Sequence, residues 1–293
     1  MKSSLDNKRK QITLAYMFLL PTLLILGVFH FYPMLRAFYL AFWDYFPNSP
    51  GNEFVGLDNF RRLLVDPDFH SALKNSLLYL FVVPIIIILS LALAMLVEPR
   101  LPGMDFFRAA YYLPVVTMMV VVAYAWRLIF NTDNGFLNEL MKSWGLIDRG
   151  IPWLTNGDLA LWTIMSVTIW KGLGYYMVIF IVGLRAVPEH LKEAARIDGA
   201  NPIQVFFNVT LPMLWPTITI VSIISGIAAL KVFEEIYMMT RGKIGTATLV
   251  YQLYETGFDM QTGSGLEMGY ACAMGVVLFA LTFVLSAFSI KVM

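Results

Sequence analysis

The stretch EAARIDGANPIQVFFNVTLPMLWP, residues 193–216, is polar and punctuated by glycine and proline, yet it separates two of the most apolar runs in the chain. Its helix signals are local. Pro188 followed by Glu189 suits a first helical turn, where a missing N–H costs nothing and an acid meets the positive end of the dipole. His190, Leu191, Ala194, Ala195 and Ile197–Asp198 then recur at helical spacing. Gly199 reads as the end of that helix. Asn201 caps a second helix with Pro202 at its first position, running to about Val209, and Leu211–Pro212 breaks it. The result is a helix–turn–helix pair that presents Glu193, Asp198 and the small residues Ala194 and Ala195. Caps and a turn suit any ordered loop as well as a docking element, so the residues alone leave both readings open.

The flanks decide the fold class. Of 293 residues 58% are hydrophobic and 14% charged, against about 45–50% and about 25% in soluble domains. Six runs approach the ~20 apolar residues of a spanning helix: about 12–35, 75–97, 107–130, 159–184, 215–240 and 268–290. The expectation is an all-α membrane protein, a six-helix bundle in one transmembrane domain (12–293) after a short N-terminus (1–11), with a loop at 185–214. Pro21, Pro84 and Pro114 fall inside three spans; neighbouring helices satisfy the freed carbonyls there, so kinks rather than helix ends are expected. The first run follows Lys2, Lys8, Arg9 and Lys10 but is longer than a signal-peptide core and ends in Phe29, Phe31 and Tyr32, so it reads as an uncleaved span. A net charge of +1 makes nucleic acid an unsuitable partner, and the single cysteine, Cys272, supports neither disulfides nor a metal site.

Lysine and arginine set the orientation. With the N-terminus inside, the short inner segments hold Arg100, Arg108, Arg185, Lys192, Arg196 and Lys291 besides the basic start, while most acids fall in the longer outer loops. Both termini and the 185–214 loop are therefore placed in the cytoplasm. Two outer segments, FVGLDNFRRLL (54–64, capped by Asp58) and GFLNELMKSWGLI (135–147), read as short amphipathic helices, for interfacial packing or for docking an external partner.

Glu193-Ala194-Ala195, Gly199, Val209 and Leu211-Pro212 have the spacing of the EAA signature, and the chain resembles the permease subunits of ABC importers. EAARIDGA is similar to the carbohydrate-uptake branch that includes maltose- and glycerol-phosphate-type systems. LLPTLLILGVFHFYP (19–33), FVGLDNFRRLL, GLRAVPEHLKEAA (183–195) and KVFEEIYMMT (231–240) extend the likeness over nearly the whole chain. One departure is visible: where relatives carry a T-x-G-G-P stretch after the fifth span, this chain reads Thr240, Arg241, Gly242, Lys243, Ile244, with no proline.

The resemblance implies the type I importer fold and a role for Glu193, Ala194, Ala195, Asp198, Gly199, Leu211 and Pro212 in coupling to a cytoplasmic ATPase. It implies as partners a second, homologous permease, two ATP-binding subunits and an extracytoplasmic solute-binding protein, in a bacterial or archaeal inner membrane, with a sugar or sugar-like solute imported by alternating access. The chain has no G-x-x-x-x-G-K-[ST] phosphate loop, so no cofactor of its own is expected, and ATP and Mg belong to the partner ATPase; the chain is a transport subunit and not an enzyme.

Charges inside spans are costly and mark pathways. Lys171 and Lys231 lie ~20 Å from the inner ends of their spans at ~1.5 Å per residue. Glu234 and Glu235 are one turn from Lys231, and Trp170, Tyr175, Tyr176, Phe233 and Tyr237 flank them. Either these charges form structural salt bridges or snorkel towards the interface, or Trp170, Lys171, Tyr175, Lys231, Phe233, Glu234, Glu235 and Tyr237 line a polar substrate path. The same charges also suit an ion-coupled secondary carrier, against which only six spans and no visible inverted repeat count.

Overall fold

Apolar runs of this length satisfy their backbone in a membrane only as helices. The computed structural model describes residues 2–47, 51–99, 101–258 and 266–292, and is helical almost throughout. Arg100, used above for orientation, lies outside the described residues. In chain order the elements are α1 (Lys2–Leu26), a π-helical turn (Gly27–Phe31), α2 (Tyr32–Leu40), β1 (Trp43–Asp44), β2 (Glu53–Phe54), α3 (Asp58–Leu63), α4 (Pro67–Tyr79), α5 (Val82–Val97), α6 (Met104–Val116) and α7 (Met119–Ile129). There follow α8 (Phe136–Ser143), α9 (Gly157–Ala186), α10 (Glu189–Ile197), α11 (Pro202–Val205), a second π-turn (Phe206–Thr210), α12 (Leu211–Met213), α13 (Trp215–Leu230), α14 (Glu234–Met239), α15 (Leu249–Phe258) and α16 (Met268–Val292). The chain divides into two compact units, Met1–Val65 with Glu255–Val276, and Asp66–Tyr254 with Val277–Met293.

In the first unit the part of α1 beyond its charged start is apolar nearly all round, and every residue from Gln11 to Leu26 is exposed, as expected of a helix whose solvent is lipid. The antiparallel pair Trp43↔Phe54 and Asp44↔Glu53 closes the following loop. Asn59 pins it by donating to the carbonyls of Ala41 (3.0 Å) and Trp43 (2.9 Å). Arg62 pairs with Glu267 at 2.5 Å and lies 4.0 Å over the Tyr270 ring.

In the second unit α9 is the central rod, packed against α5, α6, α13 and α14, with Ile164, Val167, Met177 and Phe180 fully buried. Close approach to α6 depends on Gly174, since a Cβ there would run into the Tyr111 carbonyl and the Tyr112 backbone. Asn138 is fully buried and ties the loop after α7 together: its amide donates to the carbonyls of Asn131, Thr132 and Ile151 and accepts from Ile151 N–H and Trp153 Nε1.

Four stretches are long and apolar enough to cross a membrane: Gln11–Leu40, Pro67–Val97, Gly157–Ala186 and Met268–Lys291. Two bent pairs, Met104–Val116 with Met119–Ile129 (96°) and Pro202–Met213 with Trp215–Leu230 (64°), bring the number to six if each pair is one span.

Several boundaries differ from the sequence reading. The first helical stretch extends to Leu40, past a π-turn. The run at 107–130 is not one kinked helix: it stops at Val116, Thr117 and Met118 are extended, and the bend lies after Pro114 rather than at it. The run at 215–240 ends at Leu230, turns through Lys231–Phe233 and restarts at Glu234. Leu211–Pro212 does not break the chain, because the π-turn before it widens the helix, Leu211 N–H bonding Phe206 O, and makes room for the proline ring. Asp58 is not the cap of α3; Leu57 holds that position and Asp58 pairs instead with Arg61 at 2.8 Å.

Candidate functional site

The loop after α9 is built to hold one shape. Gly199 has φ +87°, a left-handed conformation that is costly for other residues. Around it Ala200 N–H bonds Ala195 O (3.0 Å) and Gly199 N–H bonds Arg196 O (3.1 Å), the paired bonds of a Schellman ending. Two residues on, Asn201 and Gln204 form a reciprocal capping box at 2.8 and 2.9 Å. Glu189 opens α10, pairing with Lys192 at 2.9 Å and Arg196 at 3.7 Å; the Lys192 hydrogen bond and charge hold its carboxyl below the usual range.

This rigid element shows its side chains outward. Glu193, Ala194, Asp198, Gly199 and Pro212 are exposed, Ala195 is half-buried, and Leu211 packs against the core. The apolar residues Ile197 and Ile203 are 85% and 70% exposed at the ends of α10 and α11, on an element otherwise rich in charge. Arg185, at the end of α9, pairs with Glu98 after α5 at 3.7 Å.

A cavity of about 500 Å³ lies in the second unit among α5, α6, α9, α13 and α14. Lys171, Tyr175, Lys231, Phe233, Glu234 and Glu235 line it, together with Thr168, Ser225 and the apolar Val82 and Ile86. Among the described residues no ion pair within 4 Å joins Lys171 or Lys231 to Glu234 or Glu235. The salt bridges offered as one reading of these charges are therefore not formed. Trp170 and Tyr237 do not line the cavity. Trp170 points off to an edge-on contact with Trp126 at 5.3 Å, and Tyr237 packs with Phe233 (5.4 Å) and Tyr254 (5.6 Å) in an aromatic cluster.

Both helix breaks open on this cavity, and each receives a donor from elsewhere. Thr117 Oγ1 donates to Leu113 O (3.1 Å), and Lys171 Nζ donates to Val115 O (3.3 Å). At the second break, Thr248 Oγ1 donates to Val232 O (3.0 Å), while Glu234 and Glu235 begin α14, where acids meet the positive helix end. The segments beyond the breaks, α7 and α14, pack together, with Arg127 donating to Met238 O at 3.3 Å. Discontinuous helices whose ends face a cavity are a recurrent way for transporters to build a site.

The sequence reading missed Thr168, Ser225 and the breaks themselves. Thr168 was open to a periodicity argument, being three residues before Lys171 on the same helical face. Ser225 gave no signal apart from the cavity.

Residues 69–291 match the family described as the binding-protein-dependent transport system inner membrane component. The chain belongs to that family. Among its relatives, the probable ABC transporter permease protein YurN of Bacillus subtilis is 34% identical over 281 residues, covering 94% of each chain. The arabinooligosaccharides transport system permease protein AraP of the same organism is 34% identical over 283 residues, covering 94% of this permease and 87% of AraP. In fold, this permease resembles a chain in the crystal structure of a bacterial ABC transporter involved in the import of the acidic polysaccharide alginate. The TM-score is 0.83 at 24% identity over 99% of this chain and 98% of that one. The architecture is thus that of a type I ABC importer permease, a transport subunit with six spans when each bent pair counts once.

Proposed function

We propose that this permease is one membrane subunit of an ATP-driven importer that carries a sugar or sugar-like solute inward by alternating access, with the cavity at Lys171, Lys231, Glu234 and Glu235 on the solute's path. A separate ATPase docks on the 189–209 element, moves it, and hydrolyses ATP with Mg. Both termini lie in the cytoplasm of a bacterial or archaeal cell, on the side of the basic first segment. A second permease, two ATPase subunits and an external solute-binding protein complete the assembly. The oligosaccharide relative supports the sugar, and so does a lining that sets Tyr175 and Phe233 beside charged hydrogen-bonding groups.

The observation that carries the coupling role is the rigid, doubly capped loop with Ile197 and Ile203 left uncovered. Apolar residues fixed in the open on a polar element suit a partner's cleft. Ala195→Asp and Gly199→Asp are expected to leave the protein in the membrane, lose co-purifying ATPase subunits and abolish uptake. Normal uptake by both at normal expression sinks the assignment. The unpaired cavity charges favour one other reading, an ion-coupled carrier; uptake into vesicles driven by an ion gradient without ATP would establish it.

A further inference from the structure

A helix that stops inside an apolar bundle leaves its last carbonyls without intrahelical partners, and in the hydrocarbon no water replaces them. α6 stops in this way at Val116. Lys171 Nζ reaches the Val115 carbonyl across from α9, placing a cation at the negative end of the α6 dipole. The contact is set up by packing. Gly174, one turn further along the same face of α9, leaves room for the α6 backbone at Tyr111 and Tyr112, which a Cβ there would strike. From Lys171, α9 runs without interruption to Ala186, ~22 Å at 1.5 Å per residue, and α10 begins three residues later at Glu189.

We propose that Lys171 is a positioning residue, a pin that joins the break between α6 and α7 to the rod leading to the coupling element. Displacement of α10 pulls on α9; through Lys171 the rod draws the end of α6, and the extended pair Thr117–Met118 takes up the change of angle. The inference rests on the reading that an ATPase drives α10. It gives Lys171 a task beyond lining the solute's path, which it shares with Glu234, Glu235, Lys231 and Tyr175.

The test uses the assembled complex in proteoliposomes, with Cys272→Ser removing the native thiol and Met118→Cys placed at the break, where the side chain is exposed. A water-soluble maleimide reports its accessibility with and without ATP and vanadate. Ile197→Cys, in a parallel preparation, reports docking of the ATPase. With Lys171 present, labelling at 118 is expected to change on ATP trapping. Lys171→Met is expected to lose that change while protection at 197 persists, and Lys171→Arg to restore it. Where Lys171→Met does not assemble, Lys171→Gln, which is uncharged and shorter, decides by the same readout. An ATP-dependent change at 118 that survives in the Met or Gln variant overturns the pin and leaves the ATPase reading intact. Absence of protection at 197 when Lys171 is present overturns the ATPase reading, and the pin with it.

Discussion

The hydroxyl of Thr248 donates to the carbonyl of Val232 at 3.0 Å, joining the start of α15 to the turn between α13 and α14. Both residues are buried, so the carbonyl has no ready substitute for that donor. Thr248→Val keeps the shape and removes the bond. It is expected to destabilise the permease by about 1–3 kcal/mol, the cost of an unsatisfied buried polar group. Thermal unfolding of the detergent-solubilised protein should show the loss, and Thr248→Ser should recover most of it.

Gly174→Ala tests the approach of α6 to α9. The added Cβ meets backbone rather than a flexible side chain, so the helices must separate. Overpacking of this kind costs about 1–3 kcal/mol. A lowered midpoint of unfolding is expected, with a larger drop for Gly174→Leu; an unchanged midpoint for the leucine variant refutes the close contact.

Asn138→Ala removes five hydrogen bonds at a fully buried position, leaving the Trp153 indole and the Ile151 N–H without their acceptor. The loss belongs with the larger single-residue effects, about 3 kcal/mol or more. Limited proteolysis should find the segment between α7 and α9 cleaved earlier than in the parent. Asn138→Asp, which sets a buried carboxylate against three carbonyl oxygens, should be at least as disruptive as alanine.

Glu235→Gln and Glu235→Ala address the solute path. Glu235 lines the cavity and is half-buried without an ion-pair partner within 4 Å among the described residues. Under the proposed function both variants are expected to reduce uptake while ATPase subunits still co-purify, since the 189–209 element is untouched. Uptake kinetics equal to the parent in both would remove Glu235 from the path. Trp170→Ala, expected from sequence to act in the same way, now serves as a comparison, because that ring faces Trp126.

What could be read from the sequence was local. Gly199, Asn201 and Pro202 mark turn and caps by their own backbone chemistry, so the helix pair emerged residue by residue, while the reciprocal bond of Gln204 came only with the structure. The cavity charges stood out because they interrupt apolar runs. The breaks did not. Thr117 and Met118 carry no glycine or proline signal, and the donor that reaches the Val115 carbonyl beside them comes from another helix. Pro114 drew attention to the wrong residue. Trp170 stands about 100° round α9 from Lys171 and Tyr237 about 200° round α14 from Glu235, so nearness in sequence does not carry either ring into the cavity.

The donors at the two breaks have an order in time. Ribosomes make a chain from its N-terminus, so the Val115 carbonyl exists 56 residues before Lys171, and that of Val232 exists 16 residues before Thr248. Until its donor is made, each broken stretch carries an exposed peptide group that lipid cannot hydrate, and α6 and α7, at 13 and 11 residues, are each too short to cross alone. The third stretch therefore depends on a later helix for the partner of its Val115 carbonyl. Its missing donor arrives only with α9, so the end of α6 is completed by a helix made later in the chain.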